Sequence, residues 1–422
     1  MATAETLRTP AAGSNSVQAF DVDRVRADFP ILKEHVHGKP LVYLDSGASA
    51  QKPTAVLDAM DAVYRHGYAN VHRGAYYFSQ HLTDRYEGVR ATIATFLNAA
   101  SDQEIVFTRS ITEAINLVAH SYGNRLAAGD EVIISEMEHH ANIVPWQLLR
   151  DRVGIDLKVA PIADDGSFRL DAYAALLTPK TRLVAITHTS NVLGTVTPLK
   201  EIIRLAHKAG ARVLVDGAQS VVHGKVDVRD LDADFYAFTG HKLYGPTAIG
   251  ALYGKAELLQ DMPPFMGGGD MIRSVSFAGT SYADPPHRFE AGTPPIVEAI
   301  GLGAAIDYVN GIGQDAIAAH EAGLLAYATE RLGQVEGLRI IGTAKEKASI
   351  VSFTLDGIHP HDIGTIVDRE GVAIRVGHHC AQPLMQRFGL PATARASMGL
   401  YNTPQEIDVL AKALIKVQEI FG

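Results

Sequence analysis

Residues 234–246 read DFYAFTGHKLYGP. A short apolar run, Phe235–Phe238, stops at Thr239-Gly240-His241-Lys242 and gives way to Leu243-Tyr244-Gly245-Pro246. Such a run bounded by turn residues predicts a buried strand with a lysine just past its end. The pattern also occurs upstream, where Arg212–Val215 closes on Asp216-Gly217-Ala218-Gln219. Working outward, short apolar runs at Leu41–Leu44, Glu104–Phe107, Glu131–Ser135, Asp156–Ala160, Arg182–Thr187 and Ile249–Tyr253 predict further strands. Amphipathic stretches at Pro53–His66, Arg85–Leu97, Thr112–Tyr122 and Leu199–Ala209, and one ahead of Arg150, predict the intervening helices. Near-continuous apolar strands alternating with helices predict an α/β domain with a mostly parallel central sheet. Ligands of such a domain sit at the carboxyl ends of the strands.

After about residue 294 the pattern changes. Helices are expected over Pro295–Asn310 and Gln314–Leu332, then a strand Ile350–Leu355, a helix near His361–Glu370, a strand Val372–Val376 and a last helix over Pro404–Ile420. This predicts a smaller α+β C-terminal domain. The expected division is a disordered tail over 1–20, a large domain over 37–294, and a small domain made of 21–36 and 295–422. The Gly- and Pro-rich stretch Met262–Pro295 is long for a compact domain, and such loops are often functional.

Composition narrows the function classes. The chain has 422 residues, enough for roughly two to three domains at ~150 residues each. Hydrophobic residues make up 47% and charged residues 20%, which excludes disorder as the dominant state. A net charge of −9 argues against nucleic acid as a partner. The single cysteine, Cys380, rules out an intrachain disulfide, a multi-cysteine zinc site and a cysteine-ligated iron–sulfur cluster within one chain. No apolar run approaches the ~20 residues of a membrane helix, and the N-terminus lacks the apolar core of a signal peptide. No membrane is expected, and the expected location is cytoplasmic. There is no G-x-x-x-x-G-K-[ST], no convincing G-x-G-x-x-G and no H-E-x-x-H.

Three features carry chemistry. Lys242 follows a strand, where burial would depress its pKa and let it form an imine with an aldehyde, although a lone loop lysine is more often a surface residue. Asp216 closes an apolar strand, where a buried carboxylate needs a cation such as a protonated pyridine, although a helix cap is an equal reading. Ser110, Ile111 and Thr112 open a helix after Phe107-Thr108, where free N–H groups suit a phosphate, although plain capping is slightly favoured in isolation. Together they are what pyridoxal phosphate requires.

At this point the sequence resembles the fold-type-I PLP enzymes of the class V aminotransferase group. The stretches that carry the likeness are HTSNVLGT (188–195), VDGAQS (215–220), FTGHKLYGP (238–246) and RFEAGTP (288–294). EHHANIVPW (138–146), RVGHHCAQPLM (375–385) and ARASMGLYNT (394–403) resemble the group II, SufS-type cysteine desulfurases. The resemblance implies the Schiff-base lysine at Lys242, an imidazole stacked on the cofactor at His139, a pyridine-nitrogen partner at Asp216 and a ring-oxygen partner at Gln219. It implies phosphate contacts from Thr112, Thr239 and His241, and from Thr293 of a neighbouring copy, hence a homodimer. Asn191 and Arg395 are implied as the clamp for the carboxylate of L-cysteine, with Arg375 and His72 as further active-site residues. Cys380 matches the catalytic cysteine, which would carry the sulfur as a persulfide toward iron–sulfur cluster assembly.

A lone cysteine is usually a small buried hydrophobe, but cationic neighbours raise its thiolate fraction. A metal site over His378-His379-Cys380 is the rival; adjacent residues on a strand point to opposite faces and chelate poorly, so no metal is expected. His361, in HPHD (359–362), resembles the histidine that engages a zinc-binding SufU-type sulfur acceptor, with a SufE-type acceptor as the alternative. A selenocysteine lyase would use nearly the same residues, whereas a class V aminotransferase would use the same Lys242–Asp216 pair but no nucleophilic cysteine.

Overall fold

The apolar runs become strands because both of their faces find cover. The computed structural model describes residues 20–421. Its main sheet has seven strands, in spatial order Ile105–Thr108, Gly250–Gly254, Phe235–Thr239, Arg212–Asp216, Thr181–Thr187, Glu131–Ser135 and Asp156–Ala160. Only Gly250–Gly254 runs antiparallel to its neighbours; the rest are parallel. The alternation of side chains is visible in the two cores. Ile133, Val184, Ile186, Val213, Val215 and Phe238 face one side. Val132, Ile134, Leu183, Ala185, Leu214 and Ala237 face the other. The first face is covered by helices Leu199–Lys208, Tyr77–Leu97 and Ile296–Ile312, the second by Ile111–Ser121 and Val144–Val153. The α/β class with a mostly parallel sheet is therefore as expected, and the parallel strands bring Thr108, Ser135, Thr187, Asp216 and Thr239 to one edge.

A second, antiparallel sheet has the order Leu338–Ile341, Ile350–Leu355, Thr393–Ser397, Arg375–Gly377. Leu324 and Leu332 of helix Gln314–Gly333, Ile363 and Val367 of helix Pro360–Arg369, and Leu410 and Leu414 of helix Pro404–Phe421 fill its core. The expected single strand Val372–Val376 is in fact two. Val372–Ala373 pairs in parallel with Val42–Tyr43, while Arg375–Gly377 joins the antiparallel sheet. An apolar run does not reveal which strand each half will meet.

The expected helix Arg85–Leu97 begins earlier, at Tyr77. Of the expected tail over 1–20, residues 1–19 lie outside the described residues; the Phe20 ring stacks on His320 at 4.2 Å. Phe29, fully buried, packs edge-on against Tyr244, Tyr308 and Tyr401. Arg26 pairs with Glu406 at 3.0 Å. Within Met262–Pro295 lies an exposed hairpin, Ile272–Ser276 with Gly279–Tyr282. Among the described residues no single helix is long and apolar enough to cross a membrane.

Candidate active site

Strand Phe235–Thr239 delivers Lys242, and strand Arg212–Asp216 delivers Asp216, into one cavity at the carboxyl edge of the sheet. Lys242, Asp216, His139, Gln219 and Asn191 line it, with Ile111, Thr187, Thr189 and Ala218 completing the wall. Burial lowers the Lys242 amine to about 8, with the charge of Asp216 opposing and that of Arg395 assisting. The Asp216 carboxyl is pushed up by burial, against the field of Lys242 and the bond from Ala218 N to Oδ1 at 3.0 Å. No ion pair reaches Asp216 among the described residues; a buried carboxylate in that state favours a cation in the cavity.

His139 lies in the turn after strand Glu131–Ser135. Burial, then the charge of Lys242, pushes its ring down to about 3. Its Nδ1 accepts from Ala141 N at 3.0 Å, so the neutral ring carries its hydrogen on Nε2. The neighbouring Glu138 is fully buried and accepts from Ser135 Oγ at 2.5 Å, Asn142 Nδ2 at 2.7 Å and Thr187 N at 3.1 Å. Asn142 Oδ1 in turn accepts from Trp146 Nε1 at 3.0 Å. Burial raises the Glu138 carboxyl to about 8 against these donors. The network pins the His139 turn to two strand ends. It explains why EHHANIVPW is polar at Glu138 and Asn142, although the sequence offered no signal for it.

Arg395, on the central strand of the second sheet, is buried at the cavity margin. It donates to the Asn191 carbonyl at 2.8 Å and to Asp45 Oδ1 at 3.1 Å, and its Nε has no partner among the described residues. Arg375 donates through Nε and Nη2 to the same Asp45, at 3.0–3.2 Å. Asp45 thus joins the two arginines, a role invisible in sequence because the partners are 330 and 350 positions away.

Cys380 is exposed, on a turn rather than on a strand, with φ of +51° at His379 and +55° at Cys380. The strand geometry used against metal chelation therefore does not apply. The side chains still diverge, because His379 is buried with Nε2 bonded to Thr393 Oγ1 at 2.8 Å. Burial, then Arg395, drives the His379 ring to about 3, so it is not the cation beside the thiol. Lys242, Arg375 and Arg395 instead lie within electrostatic reach of Cys380. The turn is tethered to the cavity: Asn191 Nδ2 donates to His379 O at 2.8 Å and His140 N to Cys380 O at 2.6 Å.

Most of the remaining candidates do not line the cavity. Thr239 is buried at the strand end with its hydroxyl on Ile249 O at 3.4 Å. The half-buried His241 ring is held at about 4 by burial and by Lys242 and Lys52. Thr112 is exposed in the first turn of helix Ile111–Ser121, whose cap Ser110 accepts from Glu113 N. Gln219 lines the cavity but spends its Nε2 on Gly47 O at 2.8 Å. Thr293 is exposed, in a separate depression with Arg109 and Glu113. His72 lies beside Glu87 and His287, and His361 is exposed at the start of helix Pro360–Arg369.

Residues 42–410 match the Aminotransferase class-V family. A cysteine desulfurase of Dickeya dadantii (strain 3937) is 56% identical over 408 residues, covering 96% of this chain and 99% of that protein. The crystal structure of the cysteine desulfurase CsdA (S-sulfonic acid) from Escherichia coli is similar with a TM-score of 0.88 and 41% identity, over 96% of this chain and 100% of that one. A lysine mutant of C-DES, solved with glycine covalently linked to its PLP cofactor, is similar with a TM-score of 0.80 and 26% identity, over 92% of this chain and 98% of that one. With a family match over most of its length and more than half its residues shared with a full-length relative, this chain belongs to the class-V aminotransferase family, among its cysteine desulfurases.

Proposed function

We propose that this protein converts L-cysteine to L-alanine, retains the sulfur as a persulfide on Cys380 and hands it to an acceptor protein for iron–sulfur cluster assembly. One observation carries the reading: a depressed, buried lysine and an unpaired buried aspartate share a cavity to which an exposed cysteine turn is tethered.

The residues fit PLP. Lys242 would hold its aldehyde carbon, Asp216 its ring nitrogen, Gln219 its ring oxygen and the neutral His139 ring its face. Thr112, Thr239 and His241 would serve the phosphate. Bound there, PLP supplies a sink for the electron pair left when the substrate loses its Cα proton. Arg395 holds the substrate carboxylate through a charge-assisted pair, with Asn191 beside it. Lys242, depressed toward 8, takes the Cα proton. The Cys380 thiolate forms an S–S bond to the substrate sulfur while the substrate C–S bond breaks, and protonation of the three-carbon remainder yields alanine.

Thr293 lies outside the Lys242 cavity of its own chain, which supports its serving a second copy in a homodimer. The exposed His361 sits in the same sheet-and-helix unit as Cys380 and suits contact with a SufU-type acceptor; a SufE-type acceptor is the alternative. The test is to mix the PLP-loaded protein with L-cysteine and reductant and quantify alanine and sulfide. Equal yields, lost in Cys380→Ala, support the proposal. Transfer of the amino group to a keto acid without alanine production would favour an aminotransferase, and a strong preference for selenocysteine would favour a selenocysteine lyase.

A further inference from the structure

Away from the cavity, three segments bring two imidazoles and a carboxylate together. His72 comes from the loop before helix Tyr77–Leu97, Glu87 from that helix, and His287 from the short turn His287–Phe289. One ligand atom of each lies within 4.8 Å of the other two, and His72 Nε2 is 2.9 Å from Glu87 Oε1. Adjacent ligands of a tetrahedral ion bound at ~2.0–2.1 Å are about 3.3 Å apart, so modest side-chain rotations suffice. The His72 and His287 rings meet edge to face, 5.6 Å between centroids.

The surroundings hold these groups in place. The His72 N–H is bonded to Thr83 Oγ1 at 2.8 Å, and its backbone sits at φ +71°, a strained conformation of the kind that gathers at ligand sites. Arg90 donates to both Glu87 oxygens, Nε to Oε2 at 2.7 Å and Nη2 to Oε1 at 3.3 Å, which fixes the carboxylate as an outer-shell partner does while Oε1 also meets His72. Buried Phe289 and the bonds from Arg288 to Gln260 O and Met262 O anchor the turn carrying His287. Arg90 and Arg73 face Glu87, Glu290 and Asp270, which leaves one net negative charge. His72 and His287 open on a depression of about 260 Å³, with room for a fourth, solvent ligand.

We propose that His72, Glu87 and His287 bind one transition-metal dication of the zinc class. Two imidazoles and a carboxylate suit zinc and its neighbours rather than magnesium or calcium. The ion would tie the helix to the His287 turn and so brace the Glu290–Thr293 segment that follows.

The test uses the PLP-loaded Cys380→Ala protein, so that the thiol cannot compete. Zn²⁺ is titrated in by calorimetry and the bound metal is counted by elemental analysis. One Zn²⁺ per chain is expected, with affinity at least about tenfold weaker in both His287→Ala and His287→Gln. Hydrogen exchange in residues 287–293 should slow with Zn²⁺ in the parent and not in the His287 variants. Substoichiometric binding would overturn the proposal. So would binding that survives both His287 variants, including binding lost only in His140→Ala, which would place the ion beside His378.

Discussion

The Lys242 cavity and the Cys380 turn are neighbours built on opposite terms. The cavity stands on buried strand ends, and Glu138, Asn142 and Trp146 lock its His139 wall with hydrogen bonds. The turn is exposed, and two consecutive non-glycine residues hold left-handed backbone that costs ~1–2 kcal/mol each. Its anchors are few: Asn191 on His379 O, His140 on Cys380 O, and Gln382 N on His140 Nε2 at 3.1 Å. Proton removal needs a dry, fixed base. A sulfur carrier must reach inward to the substrate and then present its load outward, so a tethered, strained turn suits it.

If the comparison holds, damage to the cavity should outweigh damage to the turn's tethers. Lys242→Ala should lower alanine formation by at least ~10³-fold even when PLP is supplied, measured by alanine release; a rate above a tenth of wild type would end its role as base. Arg395→Ala should cost about 3 kcal/mol in kcat/KM, on the order of a hundredfold, because it removes the proposed partner of the substrate carboxylate and leaves Asp45 to Arg375 alone. His140→Ala cuts the contact with Gln382 N and should cost the turn about 1 kcal/mol. Persulfide formation should slow a few-fold, KM should hold, and alkylation of Cys380 should quicken. An unchanged alkylation rate would mean that the tether does not restrain the turn.

Protonation sharpens the same contrast. With the Lys242 amine near 8, kcat should rise with pH through that region. Stability has a different window. Burial holds the His188 ring at about 4 in the folded chain, below its ordinary 6.5. As pH falls below 6.5 the unfolded chain takes up the proton first, so stability is whole above 6.5 and lost toward 4. The urea midpoint should drop between pH 7 and 5.5, and His188→Gln should flatten that slope by on the order of 1 kcal/mol.

Much of this was legible in one dimension. Strands such as Phe235–Thr239 announced themselves because burial on both faces demands unbroken apolar runs. Lys242 and Asp216 were legible because a parallel sheet delivers residues just past strand ends to a common edge. The break at Ile374 was not legible, since pairing partners are chosen by distant strands. The charge beside Cys380 was legible only in part: Arg375 lies close in sequence, but the adjacent His379 ring turns inward and stays neutral, and Arg395 and Lys242 arrive from other elements.

By itself, then, the sequence determined the α/β class, the order of its elements and the residue types of the site, because periodicity and strand-end chemistry are local properties. Only the tertiary structure decided that Asp45 bridges two arginines, that Glu138 anchors the His139 turn, and that His72, Glu87 and His287 converge. Those contacts join residues up to hundreds of positions apart, and packing of whole elements, rather than any local preference, sets their distances.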